Sequence, residues 1–178
     1  MPDHGSIDIC SSWSTAKTKF VISSPATSDP TISRVGVFNA FVGTESHSSS
    51  RITVGPDTFA DVSIISETSV NPNWQSVSLQ PLTVRGIGGP SPTPLTRAVQ
   101  VPIRMQWGAP LIHVWAYVSQ PPPGVDMLMG CDILDFLQGQ VDRGAKRTIF
   151  PTCGMAIPLE SLSANAARIN TRPLSVLT

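Results

Sequence analysis

Asp57-Thr58-Phe59-Ala60-Asp61-Val62-Ser63-Ile64-Ile65-Ser66 sets a carboxylate and a hydroxyl side by side just ahead of a short apolar run. Asp and Thr favour turns because their side-chain oxygens bond nearby backbone amides. Val62 to Ile65, rich in β-branched residues, reads as a strand. Such a pair before an apolar run is usually just a turn, so its context has to decide whether chemistry is added. Two neighbours bear on that: Pro56 has no N–H to give a sheet ladder, and Phe59 brings a benzyl group and a Cβ that narrows the available backbone angles.

Working outward, Val35 to Val42 places apolar residues at alternating and adjacent positions, the pattern of a half-buried strand. The polar cluster Thr44 to Ser50 predicts a hairpin loop leading to a strand at Arg51 to Val54. Downstream, Val77 to Val84, Ala98 to Met105 and Leu111 to Val118 are further strand candidates, separated by Gly, Pro and Asn signals. Short apolar runs at this spacing predict an all-β domain. One short helix is expected late, over Gly130 to Leu137, with Asp132 as its cap and Ile133, Leu134 and Leu137 on a buried face. A second is expected from near Leu159 through Ser163 to Arg168. The Ser, Thr and Pro content of residues 1–32 predicts a linker or arm, which leaves a domain at 33–150 and a C-terminal extension at 151–178.

A chain of 178 residues is the size of one domain with tails. Twelve basic and twelve acidic residues balance without a block of like charge, which argues against nucleic acid or a membrane surface as partner. Apolar runs stop well short of the roughly 20 residues needed to span a bilayer. The start, Met1 to Ser6, lacks the basic and apolar regions of a signal peptide, and Cys10, Cys131 and Cys153 have no metal-like spacing. Reduced thiols in an intracellular protein are the expectation. His4, His47 and His113 are too dispersed for a metal site or a triad, so no metal and no cofactor are expected. His113 is expected within a strand, Cys131 as a small buried residue, and Trp74, Trp107 and Trp115 at core or interface positions.

Three segments recur in a telling order: Asp57 to Ile65, Val84-Arg85-Gly86-Ile87-Gly88-Gly89, and Asp126-Met127-Leu128-Met129-Gly130-Cys131-Asp132-Ile133-Leu134. Together they resemble the retropepsin-like aspartic protease domain of retroviruses and long-terminal-repeat retrotransposons. That family reads Asp-Thr-Gly or Asp-Ser-Gly, then Ala, in the first segment, a glycine-rich flap in the second, and an apolar strand, Gly-x-Asp and helix in the third. The resemblance implies a closed all-β barrel with a flap hairpin at Gly86 to Gly89 and one short C-terminal helix. It assigns Asp57 as the catalytic carboxylate, with Thr58 bracing two such turns against each other. Phe59, Ala60 and Asp61, with Gly86, Ile87, Gly88 and Gly89, would contact substrate. Read without the resemblance, Gly86 to Gly89 is equally a plain hairpin tip.

Two carboxylates held close cannot both ionise cheaply, so such a pair shares a proton and supplies one base and one acid, an arrangement for which aspartic proteases are themselves the standard case. The chain has one Asp-Thr-x-Ala segment, so the resemblance implies a homodimer with Asp57 of each copy on the two-fold axis. The substrate it implies is a peptide or polyprotein, in the cytoplasm or in retroelement particles. The chain departs from the family at Phe59, at Pro56, where an apolar strand residue is usual, and at Cys131, where retroviral enzymes often carry an arginine paired with the acid corresponding to Asp61. Two readings therefore stand: an aspartic endopeptidase, or a pseudoprotease that keeps the dimer and groove as a peptide-binding or assembly module.

Overall fold

A computed structural model describes residues 36–44, 49–84 and 94–162. The first hairpin joins β1 (Gly36–Val42) to β2 (Ser50–Pro56), antiparallel with Phe38 opposite Val54 and Val42 opposite Ser50. The two strands flank the polar segment Thr44 to Ser50, of which residues 45–48 lie outside the described residues. β3 is only Ile64–Ile65, because the residues before it stay in the turn that follows Asp57. Next come β4 (Ser76–Thr83), β5 (Pro94–Arg104) and β6 (Ile112–Val118). β5 begins at Pro94, four residues ahead of the expected Ala98, since Leu95 pairs with Leu82 across the hairpin and is itself buried. The proline at its start costs no ladder bond, because the first residue of a strand can do without a donor. Gly86 to Gly89 lie in the connection between β4 and β5 and outside the described residues, as does the expected second helix from Ser163 onward.

β7 (Met127–Met129) lies between β2 and β3, parallel to the first and antiparallel to the second. β3 in turn pairs parallel with β6, β6 with β5, and β5 with β1. The pairings β1–β2–β7–β3–β6–β5–β1 therefore close on themselves, giving the all-β barrel expected from the sequence. Its interior is filled from alternate positions, with Phe38, Ala40 and Val42 from β1, Val99, Val101 and Ile103 from β5, and Met127 and Met129 from β7 all buried. A smaller cluster of Leu95, Ala98, Trp115 and Tyr117 sits beneath the β4–β5 hairpin, with Val77, Leu79 and Val84 packed on it.

The helix α1 (Cys131–Phe136) buries Ile133 and Leu134 on the barrel, with Leu137 just beyond. Its N-cap is Gly130, one place before the first helical residue, and not Asp132. Asp132 instead sits in the first turn, where its carboxylate accepts the free Ile133 N–H at 2.8 Å. Residues 151–162 do not stand apart from the barrel. β10 (Met155–Pro158) pairs with β9 (Arg147–Phe150), which pairs with β8 (Gln140–Asp142), and β11 (Glu160–Ser161) pairs with β1. Phe150 meets Phe38 edge-on at 6.1 Å, tying this second sheet to the barrel. Glu160 and Ser161 are thus strand where a helix is expected from near Leu159.

Trp115 is buried and Trp74 half-buried against the core, but Trp107 is 65% exposed in the β5–β6 turn, its ring 5.4 Å from Phe41. Among the described residues no helix is long and apolar enough to cross a membrane, and no cluster of His, Cys, Asp and Glu has metal-holding geometry.

Candidate active site

β2 delivers Asp57 to the end of the barrel. Pro56 occupies its last pairing position, opposite Met129, so the missing proline N–H falls where the ladder ends, and the next amide, Asp57 N–H, donates to Met129 C=O at 2.9 Å. The half-buried Asp57 carboxylate accepts the Phe59 N–H at 2.9 Å, and its carbonyl accepts the Ala60 N–H at 3.3 Å. This is the side-chain-to-backbone turn that Asp favours, and it leaves the second carboxylate oxygen uncommitted to the turn. Thr58 is exposed, with no hydroxyl hydrogen bond among the described residues. Phe59 is also exposed, at 60%, and turns its ring toward the β8–β9 connection, where the guanidinium carbon of Arg143 stands 5.6 Å from the ring centroid.

The turn is clamped from below by the segment that opens α1. Ala60 C=O accepts the Cys131 N–H at 2.7 Å, and Thr58 C=O accepts the Cys131 thiol at 3.3 Å. Gly130 passes so close that an added Cβ would stand 2.6 Å from the Val62 carbonyl oxygen and 2.8 Å from that of Ala60. Ser63, fully buried, knits the two together. Its hydroxyl donates to Asp132 Oδ1 at 2.5 Å and accepts the Gly130 N–H at 2.8 Å, while its amide donates to Asp132 Oδ2 at 3.0 Å. Asp132 is therefore spent on structure.

Burial, followed by the charges of Asp135, Asp61, Asp132 and Asp57, pushes the Cys131 thiol up from its ordinary range. It is half-buried, not the buried packing residue expected, and it serves as a thiol donor to the Thr58 carbonyl.

The structure thus brings Asp57, Thr58, Phe59, Ala60 and Asp61 into one turn packed on Gly130 and Cys131. Gly86, Ile87, Gly88 and Gly89, expected to form a flap, are outside the described residues. Sequence reasoning passed over Ser63 and Arg143. A lone hydroxyl between Val62 and Ile64 is a signal of a buried polar contact, whereas nothing in the spacing links Arg143 to residue 59.

Two outcomes follow from the Ser63–Asp132 contact. Ser63→Ala removes a donor to a largely buried carboxylate and the acceptor of Gly130 N–H, so a loss of about 2–3 kcal/mol in urea unfolding is expected. Burial, partly opposed by the bonds from Ser63 and Ile133, raises the Asp132 carboxyl above the ordinary aspartate value. A carboxyl raised on folding binds its proton more tightly in the native state. Its contribution to stability is full below the unfolded value and is lost as pH rises through the native one. Carboxyl-carbon NMR of Asp132 should give a midpoint above that of an unfolded peptide, and higher still in Ser63→Ala if that variant remains folded. A midpoint at or below the peptide value would contradict this.

The family model described as retroviral aspartyl protease matches residues 43–142, which span the Asp57 turn, the β4–β5 connection and Gly130-Cys131-Asp132. Among solved structures, the retroviral protease-like domain of Ddi1 from Leishmania major is similar with TM-score 0.49 and 14% identity, over 72% of this chain and 95% of that one. EIAV protease, solved in complex with the inhibitor HBY-793, is similar with TM-score 0.42 and 19% identity, over 60% of this chain and 90% of that one. No curated protein matches the chain.

Proposed function

Because the chain belongs to the retroviral aspartyl protease family, we propose that it is an aspartic-type endopeptidase in which Asp57 of each of two copies forms the catalytic dyad. The observation that carries this reading is the Asp57 turn: a carboxylate at a strand end, one oxygen fixed by the Phe59 amide, in a loop clamped by Gly130 and Cys131. Asp132 is engaged by Ser63 and is not available as the second carboxylate. A second copy supplies one, and Thr58 is free to brace the two turns.

The paired carboxylates share one proton, so their titration belongs to the dyad as a unit. The ionised member takes a proton from a water that attacks the peptide carbonyl, and the protonated member stabilises the oxyanion and later protonates the leaving amine. The substrate is an extended polypeptide held by backbone hydrogen bonds beneath the β4–β5 hairpin, with a retroelement polyprotein as the natural candidate. Gly86 to Gly89 serve as the lid over it, and Phe59, Ala60 and Asp61 line the floor.

The exposed Phe59 ring favours a second reading, a pseudoprotease that binds peptide without cutting it. Mass spectrometry of a diverse peptide mixture at mildly acidic pH separates the two. Cleavage by the unaltered chain supports the endopeptidase. Silence from it, with cleavage appearing in Phe59→Gly, identifies a dimer silenced by one side chain. Silence from both, with folding and dimerisation verified, favours the binding module.

A further inference from the structure

We propose that Phe59 and Arg143 together form a substrate subsite that selects a glutamyl side chain close to the scissile bond. The inference rests on the endopeptidase reading for the position of the cleft, but its chemistry comes from contacts within this chain. The Phe59 amide is bonded to the Asp57 carboxylate at 2.9 Å, so its ring borders the reacting centre. One side of that ring carries the Arg143 guanidinium at 5.6 Å from the centroid, and 60% of the residue remains open to an incoming chain.

Arg143 stands over the ring without an acidic partner among the described residues. Its neighbour Asp142 accepts the Ala145 N–H at 2.9 Å with one oxygen and faces Arg147 Nε at 3.7 Å with the other. That carboxylate is committed to the β8–β9 turn, and Arg143 makes no ion pair among the described residues. A guanidinium placed over an aromatic ring keeps its N–H donors available around its edge, and those donors match a carboxylate as a pair of parallel bonds.

A glutamyl group fits this arrangement in both its parts. Its methylenes lie along the open part of the Phe59 ring while its carboxylate reaches the guanidinium. The shorter aspartyl side chain gives up the first contact to make the second. Elsewhere around the turn, Asp57, Asp61, Asp132 and Asp135 all act on the neighbouring Cys131 thiol, so the local field repels anions. Acid selection is therefore confined to the one substrate position that Arg143 can reach.

The test is retention of a randomised peptide library on the immobilised full chain carrying Asp57→Asn, read by mass spectrometry, beside cleavage of the same library by the unaltered chain. Glu should be enriched over Gln at a single position by roughly threefold to tenfold, falling in high salt. Adding Arg143→Gln should abolish that enrichment, and Arg143→Glu should replace it with Lys or Arg. Arg143 is exposed, so both variants should keep the fold, and the oligomeric state of each is measured beside the unaltered chain. Equal retention of Glu and Gln, or an enrichment that survives Arg143→Gln, overturns the subsite. Glu enrichment without cleavage by the unaltered chain keeps the subsite and removes the endopeptidase, whereas cleavage with no acidic preference does the reverse.

Discussion

Asp57→Asn is expected to lower the rate of peptide cleavage by about 10²–10⁴-fold, the usual worth of a positioned general acid or base. The substitution is nearly isosteric, and the amide oxygen can still accept the Phe59 N–H that shapes the turn. What it removes is the ability to share and transfer a proton with a second carboxylate. Among the described residues the half-buried side chain hydrogen-bonds only to the Phe59 amide, a contact the asparagine oxygen can keep, so the stability change should stay within about 0.5 kcal/mol. Initial rates at mildly acidic pH, measured with urea unfolding of the same samples, check both halves. Equal rates in the two proteins would remove Asp57 from the chemistry.

Gly130→Ala is expected to be the most damaging glycine-to-alanine change among the described residues. The backbone angle at this glycine, φ of −85°, is open to any residue, so the demand is for space and not for conformational freedom. An added Cβ meets carbonyl oxygens of Val62 and Ala60 at 2.6 and 2.8 Å, and backbone cannot rotate aside as a side-chain tip would. Relief requires the helix start to move away from the turn, which strains the Cys131 N–H bond to Ala60 and the Gly130 N–H bond to Ser63 together. Overpacking of this kind costs about 1–3 kcal/mol, and broken buried bonds add about 1–3 more. Urea unfolding should show a midpoint shift of that size at unchanged slope, and cleavage should fall with it, because the displaced turn carries Asp57. A loss below about 0.5 kcal/mol would mean that the close approach is not real.

The sequence made the barrel legible where its local signals were strong and agreed with one another. Alternation in Val35 to Val42, the polar loop from Thr44 and the apolar run of Leu111 to Val118 each placed a strand near its observed limits. β8, β9 and β10 were missed because they are three or four residues long and sit between turns, with Gln138 and Lys146 adopting left-handed angles that sequence alone does not announce in such residues. The helix at Gly130 to Leu137 was visible in its apolar spacing. Its cap was misassigned because Asp132 is drawn to a buried serine 69 positions away, a contact no local rule contains. The candidate site divided in the same way. Asp57, Thr58 and the turn after them were legible as a motif. The clamp from Gly130, Cys131 and Ser63 and the ring contact from Arg143 depend on segments brought together only by the closed barrel.

The most direct measurement mixes the unaltered chain with Asp57→Asn at fixed total concentration, refolds the two together, and follows cleavage against the fraction of unaltered chain. A site assembled from Asp57 of two copies requires both partners to be intact, so activity should fall with the square of that fraction, to about one quarter at an equal mixture. A strictly linear fall, to about one half, would mean that each chain acts through its own carboxylates, and would contradict the shared dyad.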